Sequence, residues 1–157
     1  MKIQSIGKII KDNKTIVLKL EDKYKSGLKN IEGYSHLQIL LWAHLTDHPR
    51  HRNRLIADKL FKNGPDKIGI FATRSPARPN PIMISTVRVN RIDFEKGEIQ
   101  IPFIDAVEDS PILDIKPYYP MERVRKCNTP DWCRHWPQWQ EDTGKFNWAD
   151  EINFKIV

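Results

Sequence analysis

The chain has 157 residues, 39% of them hydrophobic and 29% charged, which suits one globular domain with one substantial core. No apolar run approaches the roughly 18 residues a membrane span needs, and Met1-Lys-Ile-Gln-Ser lacks the apolar stretch of a secretory signal, so a cytoplasmic protein without membrane attachment is expected. The net charge of +6 fits a polyanionic partner, because Lys and Arg neutralise phosphates and release counterions.

In chain order, Ile3 to Ile10 and Thr15 to Leu20 read as strands joined at the turn pair Asp12-Asn13. Gly27 to Gly33 is a glycine-bounded turn or single helical turn. In Ser35 to Leu45 the period of two puts Leu37, Ile39, Leu41, Ala43 and Leu45 on one face. The other face carries His36, Gln38, Leu40, Trp42 and His44, a mixed set suited to lining a site. Residues 47–66 are polar and basic, with a short helix expected around Leu55, Ile56 and Leu60.

Lys67 to Phe71 reads as a strand running into a proline-rich segment. Ile82 to Asp93 is rich in β-branched residues, and Glu95-Lys96-Gly97 makes a hairpin turn into Ile99, Ile101 and Phe103. Asp109-Ser110-Pro111 is a turn, after which Ile112 to Lys116 alternates with Asp114 and Lys116 on one face. Many short strands separated by proline- and glycine-marked turns predict a mainly β fold, a small barrel or sandwich with few short helices. The strand–helix alternation of a doubly wound sheet is missing, and no GxGxxG or P-loop occurs, so a Rossmann-type site is not expected.

Charge is unevenly spread. Residues 67–93 hold Lys67, Arg74, Arg78, Arg88 and Arg91 against the single acid Asp93, whereas the tail from Met121 is charge-balanced. The tail contains Trp132, Trp136, Trp139 and Trp148, rings expected to pack a core or subunit interface and also able to stack on bases. Cys127 and Cys133 fit neither a redox pair nor a zinc knuckle, and reduced thiols are the simplest reading. His44, His48 and His51 straddle a strand end and a proline with no cysteine to join them, so no metal site is expected.

Two constellations carry chemistry. In Thr73-Arg-Ser-Pro-Ala-Arg-Pro-Asn-Pro81 the prolines fix φ and remove backbone donors, which excludes a central strand or helix interior and leaves a rigid loop. Arg74 and Arg78 offer planar forks for carboxylate or phosphate, and Ser75 and Asn80 offer groups for a purine edge or a ribose. A proline-stiffened connector with solvated arginines is the alternative. The second constellation, Asp105 to Pro120, holds Asp105, Glu108, Asp109 and Asp114 near Lys116 and Tyr118. Its carboxylates suit a sulfonium, a ribose or general-base work, or simply an acidic loop paired with the basic one.

Three segments in order, Ile31-Glu-Gly-Tyr-Ser-His-Leu37, Gly69 to Pro81 and Asp114-Ile-Lys-Pro-Tyr118, resemble the TsaA/YaeB-like family, best known through the TrmO class of tRNA methyltransferases. The resemblance spans roughly residues 3–120. It implies a small β-barrel domain over residues 1–120, with residues 121–157 as a Trp-rich tail packed on the barrel or a dimer interface. It also implies S-adenosylmethionine as cofactor, a homodimer, and N6-methylation of threonylcarbamoyladenosine beside the tRNA anticodon.

Carried over by motif, the cofactor pocket draws on Ser35 and His36, on Arg74, Ser75, Pro76, Arg78 and Asn80, and on Asp105, Ala106 and Val107, with Lys116 in the bracing stretch. Glu108 or Asp114 is the candidate base, and Arg74, Arg78, Arg88 and Arg91 the strip facing RNA. The family's usual Asp-Gly-Thr-Pro stands here as Glu108-Asp-Ser-Pro111, which asks Asp109 for left-handed geometry. The family's Gln-Pro element near the start is missing, which motivates two other readings. One is a methyltransferase acting on a small molecule or other non-tRNA substrate. The other is a binding module for S-adenosylmethionine without activity.

Overall fold

A computed structural model of the chain describes residues 2–12 and 15–153. Nine strands form two sheets. The larger sheet comprises β1 (Gly7–Lys11), β2 (Ile16–Leu20), β3 (His36–Trp42), β6 (Ile82–Arg88), β7 (Arg91–Asp93), β8 (Glu98–Ile101) and β9 (Pro111–Pro117), in the order β6-β3-β9-β1-β2-β8-β7. The smaller pairs β4 (Ile56–Asp58) with β5 (Lys67–Gly69). The one α-helix among the described residues is α1, Pro49–Arg52, and the remaining helical segments are 3-10 turns.

Period two decides which side of the sheet is wet. In β3, Leu37, Ile39 and Leu41 are fully buried while His36, Gln38, Leu40 and Trp42 stay half-exposed, as the alternation predicts. Ile9, Leu18, Val87, Ile99, Ile101 and Ile112 join the same core. In β9 the alternation slips: Ile112 lies opposite Leu41 but Asp114 opposite Leu40, with an irregularity between them. Leu113 is the extra residue. The bulge lets Ile112 and Ile115 both pack on the core while Asp114 and Lys116 share the outer side. The turn before β9 places Asp109 at φ 60, the left-handed geometry its sequence position called for.

The expected barrel does not form. The ladder is open, because its edge strands β6 and β7 are not paired to each other. They are successive pieces of the Ile82 to Asp93 stretch, parted at Val89 and Asn90, whose amides bond to Ser35, just before β3, and to Gln100 of β8. The chain thus bends from one edge to the other instead of closing the ladder.

Other expectations also shift. The helix expected around Leu55, Ile56 and Leu60 is replaced by α1 and β4. Leu55 and Ile56 are exposed, while Ala57 and Leu60 pack with Ile68 and Ile70 in a second small core. The strand from Lys67 stops at Gly69, and Ile70–Ala72 is a 3-10 turn. Leu45 leaves its expected strand for an exposed turn, His44–Thr46. Asn13 of the expected turn pair lies outside the described residues, but Asp12 still accepts the Thr15 amide at 2.8 Å through its side chain.

Among the described residues the tail carries 3-10 turns and one isolated bridge, Ile152 to Phe61. Trp132 stacks on Phe61 at 4.9 Å between ring centroids, and Trp136 meets both edge-on at 5.4 and 5.3 Å. Trp148 abuts Trp136, whereas Trp139 is exposed. Beneath these rings the buried Glu151 carboxylate accepts from His135 Nε2 at 2.7 Å and Trp136 Nε1 at 3.0 Å. These hydrogen bonds, that from His135 foremost, hold its pKa below the ordinary glutamate value against the opposing effect of burial.

Candidate functional site

Pairing sets the residues of the outer face in rows. Trp42 lies opposite Ile82, Leu40 between Ile84 and Asp114, Gln38 between Thr86 and Lys116, and His36 opposite Arg88. His36 to Trp42 spans about 20 Å at the strand rise of about 3.3 Å. This band, mostly apolar from Trp42 and Ile82 to Leu40 and Ile84 and polar toward His36 and Arg88, is framed by the proline loop at its apolar end and the start of the tail at its polar end.

The loop Thr73 to Pro81 enters where β3 ends, with the Ala43 amide donating to Pro81 O at 2.8 Å. Buried Thr73 organises its first turn: its hydroxyl donates to Ile70 O at 2.8 Å and accepts the Ser75 amide at 3.2 Å. Ser75 Oγ in turn accepts the Ala77 amide at 3.3 Å. Two neighbours clamp the loop from outside. Thr46 Oγ1 donates to Pro76 O at 2.9 Å, and Arg52 Nε donates to Pro79 O at 3.0 Å. Arg52 is itself set by Asp47 at 3.0 Å, and the same carboxylate accepts Trp42 Nε1 at 3.0 Å. Sequence reading missed this Trp42–Asp47–Arg52 bracket. Its one sequence signal was a polar run too long for a plain turn, beside a proline-rich partner.

The two loop arginines part company. Arg74 reaches the edge strand β6 and donates to Ile84 O at 2.6 Å, and its other N–H groups have no partner among the described residues. Arg78 turns back and donates to Thr73 O at 3.4 Å and Ile70 O at 3.5 Å, so it helps shape the loop. The Asn80 carboxamide has no protein partner, and Pro76 presents only its carbonyl, to Thr46. The Nδ1 atoms of His44 and His51 are buried without partners, but among the described residues no group of three His, Cys, Asp or Glu is placed to hold a metal ion.

The acidic segment is divided. Asp105, Ala106, Val107 and Glu108 lie in the loop before β9, at the same end of the sheet as the proline loop but toward β1. Glu108 accepts the Lys11 amide in a short contact, and Asp109 pairs with Lys8 at 2.7 Å. Asp105 is exposed and unpaired, and Ala106 packs on the core. Asp114 stands on the band itself, 2.7 Å from Lys116 Nζ, with its other oxygen accepting the Ile115 amide at 2.9 Å. The carboxylate raises the pKa of Lys116 through that hydrogen bond and keeps its charge in place.

Ser35 and His36 occupy the far end of β3, where Ser35 Oγ lies 2.9 Å from His36 Nδ1. Of the sequence-derived residues, His36, Arg88, Asp114 and Lys116 therefore share the outer face, and Arg74 lies at its β6 edge. Ser75, Pro76, Arg78 and Asn80 cap one end of it. Arg91 lies apart, on edge strand β7.

Comparison with known proteins gives this arrangement a context. The family model described as tRNA-methyltransferase O N-terminal domain matches residues 5–122. A protein of Pyrococcus abyssi named as a probable S-adenosyl-L-methionine-binding protein is 34% identical over 86% of this chain and 69% of its own length. A tRNA (adenine(37)-N6)-methyltransferase of Eikenella corrodens is 38% identical over 57% of this chain, a match covering 49% of that enzyme. A crystal structure of TrmO from Pseudomonas aeruginosa superposes at a TM-score of 0.63 with 25% identity, over 82% of this chain and 60% of that one. The chain thus spans less than two thirds of the TrmO enzymes it resembles.

Proposed function

The chain belongs to the family of the tRNA-methyltransferase O N-terminal domain, and from that premise we propose that it is an S-adenosylmethionine-dependent methyltransferase acting on N6 of an adenosine beside the tRNA anticodon, with threonylcarbamoyladenosine as the acceptor. The observation that carries this reading is the clamped proline loop. It is held by hydrogen bonds from Thr73, Thr46 and Arg52, and it carries Arg74 against the edge strand β6 and Asn80 with its carboxamide exposed.

The residues present fit the cofactor chemically. A free carboxamide such as Asn80 matches a purine edge bidentately. The unpaired Asp105 carboxylate suits a sulfonium, and the remaining N–H groups of Arg74 suit a carboxylate. Bound S-adenosylmethionine supplies the electrophilic methyl group. The protein's part is to align donor and acceptor for in-line displacement and to accept the proton the acceptor nitrogen loses. Asp114 is the candidate of the two for the proton because it stands on the band, whereas Glu108 lies in the loop before β9. Leu40 and Ile84 provide the apolar surface against which a base rests.

A homodimer is part of the same reading. The exposed Phe71 and Phe103 are large apolar groups of the kind a subunit contact covers. A tRNA-modifying role also implies a cytoplasmic protein, and no helix among the described residues is long and apolar enough to cross a membrane.

Calorimetric titration with S-adenosylmethionine tests the cofactor, and Arg74→Ala is expected to weaken binding at least tenfold. An absence of heat with the wild type removes the cofactor and every step built on it. Nucleoside mass spectrometry of tRNA from a deletion strain tests the acceptor. Unchanged methylated threonylcarbamoyladenosine rules it out.

A further inference from the structure

The tail is neutral in sum, yet the structure separates its charges. Four of its six acids are engaged: Glu122 accepts from Gln38 and from the Tyr119 amide, Asp131 pairs with Arg134, Asp150 accepts from Asn147, and Glu151 is buried under the tryptophans, while Glu141 and Asp142 lie exposed further along the chain. Its first basic residues are not. Residues 121–130 are exposed without a break, and among the described residues Arg123, Arg125 and Lys126 make no side-chain hydrogen bond or ion pair. Many other cations of the chain are tied down, as Lys8, Lys19, Lys25, Lys59 and Lys116 are by carboxylates.

The root of this strap is well placed. The Tyr118 amide donates to His36 O at 3.1 Å, and the turn Pro120–Glu122 folds back so that Glu122 meets Gln38 at 2.8 Å. Arg88, also unpaired, lies opposite His36 on the next strand, about two strand spacings or ~10 Å from Pro117. Arg88 and the root of the strap therefore share the end of the band remote from the proline loop, and Arg123, Arg125 and Lys126 follow within four residues of that root.

We propose that the strap Arg123–Lys126, with Arg88 at its root, is a docking surface for an RNA sugar–phosphate backbone, distinct from the proline loop. This rests on the proposed RNA substrate and adds where its backbone is gripped. Guanidinium forks favour phosphate oxygens, and an extended, exposed segment tracks a strand. An anionic membrane is the poorer fit, because the segment has no amphipathic helix and exposes only Met121 and Val124 as large apolar groups.

The test is a gel-shift titration with an unmodified tRNA transcript at several salt concentrations, run beside cofactor calorimetry. Arg123→Ala/Arg125→Ala is expected to weaken RNA binding about tenfold or more and to flatten the salt slope by about 1.5, as loss of two phosphate contacts requires. Arg123→Lys/Arg125→Lys should restore most of the slope. Lys2→Ala/Lys29→Ala, which removes equal charge elsewhere, should leave RNA binding near wild type.

Unaltered RNA binding in the strap variant, or equal weakening in the Lys2/Lys29 control, overturns the strap while the methyltransferase reading stands on its cofactor heat. A wild type that shifts no tRNA at about 50 mM salt overturns both the strap and the tRNA substrate. Strap-dependent binding to vesicles containing anionic lipid, with no RNA shift, assigns the surface to membranes and overturns the proposal.

Discussion

The loop Thr73–Pro81 and the segment 121–130 both leave the sheet without strand pairing, yet they are held to opposite degrees. In the loop, Thr73, Ser75 and Arg78 bond inward, and Thr46 and Arg52 clamp from outside. In the strap, the side chains of Arg123, Arg125 and Lys126 touch no partner among the described residues. A site that must recognise one shape gains from being rigid before the ligand arrives, because ordering costs affinity. A surface that meets a flexible polyanion needs only charge at the right density. The same arginine therefore does different work in the two places: Arg78 builds a loop, and Arg125 waits for phosphate.

The largest test of this contrast strikes the sheet from which both segments hang. Ile39→Ala empties a fully buried position of β3 and should cost about 2–5 kcal/mol in urea unfolding. If loop and strap hung on independent units, that unfolding would split into two transitions.

Next is Thr73→Val, which keeps the volume and removes both hydroxyl bonds inside the loop. About 1–3 kcal/mol of stability should go, together with a measurable share of the cofactor heat. Unchanged heat would mean that loop rigidity is irrelevant to binding.

A smaller effect concerns the anchor that follows the strap. The pKa of Glu151 is lowered in the folded state, so its carboxylate stabilises the fold above the ordinary glutamate pKa. That contribution is lost as pH falls through the folded value. Tryptophan fluorescence on acid titration should show wild type more stable than Glu151→Gln near neutrality. The two should converge as pH falls through and below that lowered value, and a gap that persists in full acid would rule out the carboxylate as the cause.

The smallest effect closes the comparison. Arg125→Ala should move the melting free energy by less than about 0.5 kcal/mol, since its side chain is exposed and without contacts. A larger loss would show that the strap is structural after all.

Much of this was legible in the sequence, for stated reasons. The alternation in β3, the hairpin at Gly97 and the left-handed Asp109 follow from side-chain period and turn chemistry, which are local. Leu55 and Ile56 misled because apolar residues in a short stretch do not declare their face. Only the pairing of β4 with β5 buried Ala57 and Leu60 and left those two outside. The Trp42–Asp47–Arg52 bracket also escaped, because it joins a strand end to a distant loop by contacts that no spacing records.

Taken alone, the chain's residues determined that it is mainly β, that the proline run must be a rigid loop, and that a family resemblance runs through Ser35, Arg74 to Asn80 and Asp114 to Tyr118. Local backbone rules and ungapped motifs suffice for each of these. Tertiary structure decided that the ladder stays open at Val89 and Asn90, that Arg74 reaches the edge strand β6 while Arg78 turns inward, and that the basic start of a neutral tail is exposed without ion pairs among the described residues. Those outcomes depend on which distant groups find each other, and charge or hydrogen-bond balance along a chain does not fix its balance in space.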